Sequence, residues 1–113
     1  MTPSIFIGTL LQSRDAMHLA HWKSESLSEH KALNEYYDGI LELTDSFVEK
    51  YFGRNGRIAI VAPEANAEKP TTHLKRLRSI IEEERVSYPS DLQNIMDEMI
   101  GLINEALYLL TLV

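Results

Sequence analysis

A chain of 113 residues has room for one domain and not for two. At 44% hydrophobic and 25% charged residues it has the composition of a folded globular chain, which sets disorder aside. A formal net charge of −6 argues against a phosphate-backbone ligand, and the absence of cysteine removes disulfides, thiolate metal sites and cysteine nucleophiles.

Four helices are predicted, in one domain over 1–113. The first covers about 4–23: Pro3 suits a helix start, and Phe6, Leu10, Met17 and His21 recur at helical spacing. The second covers about 26–52. Ser26 and Glu29 form a capping box, Leu33, Tyr36, Tyr37, Ile40, Thr44, Phe47, Val48 and Tyr51 make its stripe, and Gly53 ends it. The stretch from Gly53 to Pro70 is irregular, with a turn signal at Arg54-Asn55-Gly56-Arg57 and breaks at Pro63 and Pro70. Ile58 to Val61 could be extended, but one strand has no partner, so no sheet is expected.

The third helix covers about 72–87 with Leu74, Leu77, Ile81 and Tyr88 inward. After Pro89, Ser90 and Gln93 suggest another capping box opening a last helix over about 90–112. Its inner positions are Leu92, Ile95, Met99, Leu102, Ala106, Leu109 and Val113, with Met96 also assigned to the core. Leu107, Tyr108, Leu110 and Leu112 make its end apolar nearly all round, which predicts burial against another subunit.

Connection lengths then select a topology. Links of two or three residues make helices one and two, and three and four, antiparallel hairpins. The link between helices two and three, about eighteen residues, is long enough to cross the bundle. The expected fold is therefore all-α, a ferritin-like four-helix bundle of two antiparallel hairpins joined by a long crossover. Met1 to Leu11 lacks a basic leader and the last apolar run is too short to span a bilayer, so the reading is soluble and cytoplasmic. The one basic cluster, Lys75, Arg76 and Arg78, is followed by Glu82, Glu83 and Glu84 and reads as a solvated face, with no nucleic-acid role.

Three of four histidines, His18, His21 and His30, lie within thirteen residues of one another. His18 and His21 share a helix face, as do Asp45 and Glu49. Imidazole with carboxylate suits Fe(II), Mn(II) or Zn(II). Yet His30 and Asp45 are separated by roughly 22 Å of helix at 1.5 Å per residue. One centre using all of them needs a second copy, antiparallel across a two-fold axis.

In this order and spacing, His21-Trp22, His30, Asp45 and Glu49 resemble the first two helices of the Dps family, the DNA-protection-during-starvation miniferritins. The resemblance covers about forty residues, Leu10 to Glu49. It implies a ferroxidase centre at a dimer interface, with His21 and His30 from one subunit and Asp45 and Glu49 from its neighbour. It also implies iron as the metal, a homodimer or higher homo-oligomer, and oxidation of Fe(II) by peroxide or oxygen. In its short length and lack of a basic tail the chain looks like a reduced, Dps-related type found among uncharacterised proteins of tailed bacteriophages. DNA binding and a twelve-subunit shell are not carried over.

Plainer roles stand beside these. His21 could bond a backbone carbonyl, His30 could be an exposed first-turn residue, and Asp45 with Glu49 could be a solvated pair. Tyr36 and Tyr37 read as core, His18 as surface or beside a ligand, and His73 as structural or exposed. The alternative function is an inert helical scaffold or interaction protein without metal activity. No serine lies in a Gly-x-Ser-x-Gly turn and no phosphate-binding glycine loop is present.

Overall fold

The computed structural model describes residues 1–113 and contains four helices and no strand. They are α1 (Pro3–Lys23), α2 (Leu27–Asn55), α3 (Pro70–Arg85) and α4 (Ser90–Leu110). At 1.5 Å per residue the 29 residues of α2 span roughly 43 Å, so this helix sets the long axis of the molecule, 43 Å. None of the helices is long and apolar enough to cross a membrane.

The helix starts follow local chemistry. Thr2 caps α1 through its hydroxyl, which accepts from the Ile5 amide, and Pro3 takes the first helical position, where no amide is needed. Ser26 caps α2 by accepting from Glu29 N–H. The expected cap of α4 does not form. Pro89 is the N-cap there, and the Gln93 carboxamide donates to the Arg85 carbonyl, tying α4 back to the end of α3. The end of α2 also differs from expectation. The helix runs through Gly53, where glycine only weakens it, and stops at Gly56, whose φ of +84° with ψ of 167° is an extended positive-φ conformation open to glycine.

Helix α1 packs on α2, α2 on α4, and α3 on α4. The predicted stripes meet in one core, led by Phe6, Leu10 and Met17 of α1, Leu33, Tyr36, Ile40 and Phe47 of α2, Leu74 and Ile81 of α3, and Leu92, Met96 and Met99 of α4. Ile103 joins them, and Leu102 and Leu109 are half-buried. At one end Phe6, Phe47, Tyr51 and Tyr88 interlock edge to face, with the Phe6 and Phe47 centroids 5.4 Å apart. At that end the N-terminal ammonium meets Glu84 of α3 at 3.0 Å, and Arg54 of α2 meets Asp91 of α4 at 3.1 Å. Tyr108 on α4 and Leu112 past its end lie 63% and 59% exposed, so their predicted burial is not met within the single chain, and Val113, expected on the inner face, lies beyond the helix and is 57% exposed.

Residues 56–69 form no regular element and lie along α1. Ser4 donates to the Ala59 carbonyl at 2.7 Å, and Gln12 to the Glu64 carbonyl at 2.9 Å. Between them the segment sits so close to Gly8 that a Cβ there would overlap the Val61 carbonyl oxygen. The glycine is required for close approach of two backbones.

Candidate functional site

The turn between α1 and α2 brings His21 and His30 together. His21 Nδ1 lies 2.6 Å from the His30 carbonyl oxygen, and His30 Nδ1 lies 3.0 Å from the His21 carbonyl oxygen. A carbonyl oxygen only accepts, so both Nδ1 atoms carry hydrogen, and the neutral form of each ring has its lone pair on Nε2. The rings stack with centroids 3.5 Å apart at 20°. Neither Nε2 has a partner in the chain, and neither is sealed off. The one enclosed side-chain polar atom without a partner is Arg14 Nε.

This pairing is a local consequence of the sequence. His21 sits in the last turn of α1 and is 5% exposed; His30 sits in the first turn of α2, whose entry is fixed by the Ser26 cap. The three-residue connection holds the two turns face to face. The end of each helix thus supplies a carbonyl or an imidazole to the other.

An aromatic surface continues from the pair. His18 stacks on Tyr37 at 4.1 Å and 17°, and lies 4.1 Å from Trp22, which is 66% exposed. The Arg14 guanidinium stands 5.2 Å from the centre of the same Tyr37 ring. Partial burial, with the Arg14 charge nearby, holds the His18 imidazole below its ordinary range. Arg14, Asp15, His18, Leu19, Trp22 and Ala65 of the 56–69 segment line an open cavity of about 370 Å³.

Asp45 and Glu49 lie further along α2, both exposed and neither hydrogen-bonded within the chain. The structure brings His21 and His30 together and does not bring the two carboxylates to them. No three potential metal-ligating side chains of one chain converge.

A second constellation was not anticipated. Ser13 Oγ is 2.7 Å from Tyr36 Oη and 2.7 Å from His73 Nε2; His73 Nδ1 is 2.9 Å from Glu68 Oε2; and Arg76 donates to Glu68 Oε1 at 2.8 Å. Ser13, Tyr36 and His73 are buried. The order serine–histidine–carboxylate is that of a hydrolase triad, but Ser13 is 1% exposed and Tyr36 occupies its other side, so no substrate carbonyl can approach. The hint in the sequence was a serine at position 13, on the apolar stripe of α1 three residues after Leu10. His73, read as structural or exposed, is 4% exposed. Burial pulls its imidazole below the ordinary range, against the opposing pull of Glu68. The Arg76 hydrogen bond holds the Glu68 carboxyl low.

Comparison with known proteins gives a family and a curated relative. The model of a family of unknown function, DUF5856, matches residues 21–110. The match begins at His21 and takes in His30, Asp45, Glu49 and all of α2, α3 and α4. An uncharacterized 14.6 kDa protein from the mobD–ri intergenic region of Enterobacteria phage T4 is 27% identical over 110 residues, which are 95% of this chain and 86% of that protein. No solved structure matches.

Proposed function

The chain belongs to DUF5856, a family of unknown function, and we propose that it binds divalent iron at centres shared between two copies. The observation that carries this reading is the reciprocal bonding of His21 and His30. In metal sites a ligating imidazole donates its other ring N–H to a carbonyl or carboxylate, which fixes both tautomer and ring orientation. Here both imidazoles already have that support, and both lone pairs are free.

The stack also speaks to nuclearity. Two rings in nearly parallel planes 3.5 Å apart cannot both point their lone pairs at one ion. Each suits its own ion, so the reading is of two ions and not one. The remaining ligands would come from Asp45 and Glu49 of the second copy. A two-fold axis crossing α2 between Asp38 and Gly39 sets His30 of one chain level with that acidic pair of the other, since position 30 and position 47, midway between Asp45 and Glu49, are equidistant from it along the helix. Leu41, 37% exposed, would sit at the contact.

Two hairpins joined by a crossover is the ferritin-like arrangement. The contacts of Met1 with Glu84 and of Arg54 with Asp91, together with the passage of residues 56–69 along α1, support that reading here. Carboxylates favour the ferric state and imidazoles fix the geometry. Two Fe(II) would each give one electron to one peroxide, which with two protons leaves as two waters.

The second reading is a scaffold or interaction protein without metal activity. It is favoured by the same two histidine bonds, which already close the α1–α2 turn with no ion. Anaerobic Fe(II) addition followed by peroxide separates the two. The native chain should form ferric absorbance faster than free Fe(II) and should sediment as a dimer or larger. The Asp45→Asn, Glu49→Gln double variant should fall to the rate of free Fe(II). Equal rates in both proteins leave the scaffold.

A further inference from the structure

Beside the packing of Ile60 and Ala65 against the core, three hydrogen-bonded ties hold the 56–69 segment and the start of α3 against α1. Two of them, Ser4 to Ala59 and Gln12 to Glu64, are exposed and do not titrate. The third runs through the core, from Tyr36 of α2 to Ser13 of α1, to His73 of α3, to Glu68 of the segment.

The hydrogen positions in this chain are determined. Glu68, held ionised by Arg76, only accepts, so His73 Nδ1 donates to it. Nε2 then carries the lone pair and accepts from Ser13 Oγ–H. Ser13 in turn accepts from Tyr36 Oη–H. Every group is satisfied once, in one direction. A proton on Nε2 breaks the order: Nε2–H must donate to Ser13, which then either gives its hydrogen to Tyr36 and strands the Tyr36 hydrogen, or accepts from both and strands its own. Ser13 Oγ has no third partner to relieve this, and Tyr36 is 0% exposed. An unpaired buried hydroxyl of this kind is strongly disfavoured.

We propose that the Tyr36–Ser13–His73–Glu68 chain is an acid-sensitive latch: protonation of His73 releases residues 56–69 and the first turn of α3 from α1. The charged groups that bear on His73 are Glu68 from the segment and Arg76 from its own helix, whose Nη2 stands 3.4 Å from Nδ1. Helices α1 and α2 present only the hydroxyls of Ser13 and Tyr36, and α4 presents no charged group to it. Release removes Ala65 from the cavity it shares with Arg14, His18 and Trp22, and so uncovers the aromatic face beside His18. The latch stands whether or not the chain binds metal.

The sign follows from burial. His73 is held below its ordinary value of 6.5 while latched, so the released state binds the proton more tightly. The latch is complete above pH 6.5 and weakens as pH falls from there toward the latched value. Glu68, held low by Arg76, stays ionised through this window.

The test is amide exchange of the full chain between about pH 7.5 and about pH 5, with labelling times scaled for intrinsic exchange, where the released population should rise about tenfold per pH unit inside the window. Protection over 58–76 should fall while that of α4 persists, and in His73→Gln the 58–76 protection should not change with pH. His18 titrates in both proteins, so their difference isolates His73. Persistence of protection down to pH 5 in the native chain overturns the proposal, as does an equal loss in His73→Gln. Should that variant fail to fold, ¹⁵N shifts of the native His73 ring decide. A ring midpoint matching the loss of segment protection supports the latch, and separate midpoints overturn it.

Discussion

His21 and His30 each donate Nδ1–H to the other's backbone carbonyl, at 2.6 and 3.0 Å, and so close the α1–α2 turn with two bonds that mirror each other. This arrangement assigns different work to the two nitrogens of each ring. Nδ1 stabilises the turn, and Nε2 is free for a ligand. Asparagine at position 30 places its carboxamide nitrogen near the site of Nδ1 and has nothing at Nε2. His30→Ala should lower stability by about 1–3 kcal/mol, by losing the bond and leaving the His21 carbonyl unpaired. His30→Asn should recover most of that in urea unfolding and still fail to bind metal. If the asparagine variant keeps native metal affinity, Nε2 of His30 is not a ligand.

The acidic pair makes the opposite prediction. Asp45 and Glu49 are exposed and touch no polar group of their own chain. Their replacement by Asn and Gln should change the unfolding free energy of the monomer by no more than about 0.5 kcal/mol. Under the shared-centre reading the same replacement should abolish any metal-induced rise in sedimentation coefficient. A large loss of monomer stability would show that the pair has a structural role inside one chain.

The bundle was legible because burial repeats every 3.6 residues, and Phe6, Leu10 and Met17, or Leu74, Leu77 and Ile81, declare it without help from tertiary structure. Helix ends were less so. Gly53 and Gly56 are equivalent as letters, and only the backbone decides which adopts positive φ. Ser90 looked like a cap but entered the helix, since Pro89 already supplies the extended residue ahead of it. The bond from His21 to a carbonyl was foreseeable from its place at a helix end. The Ser13–His73–Glu68 chain was not, because its members come from α1, α3 and the irregular segment, and only packing unites them.

Glycine offers a paired test of the segment along α1. A methyl at position 8 meets the Val61 carbonyl, so Gly8→Ala should destabilise by about 1–3 kcal/mol and raise amide exchange over residues 58–64. At Gly53 and Gly101 an added Cβ meets nothing within 4 Å, and both positions are helical. Gly53→Ala and Gly101→Ala should therefore each stabilise by about 0.5–1 kcal/mol. Thermal melts of the three single variants check the contrast. A neutral Gly8→Ala would mean that the segment does not press on α1 in solution.

The direction of the buried hydrogen bonds predicts unequal effects for their two ends. Tyr36→Phe removes the terminal donor and leaves Ser13 still bonded to His73, so only an accepting lone pair goes unused. Ser13→Ala removes the middle, which strands both the Tyr36 hydroxyl and His73 Nε2 in the core. The first should lower stability by about 1 kcal/mol and the second by about 2–4 kcal/mol, because two enclosed groups lose their partners. The double variant separates the terms: with Ser13→Ala present, Tyr36→Phe should be neutral or stabilising, since it deletes a hydroxyl that no longer has an acceptor. Denaturant unfolding of the two single variants and the double completes the cycle. Equal single effects that simply add would show that Ser13 and Tyr36 do not act through one chain of hydrogen bonds.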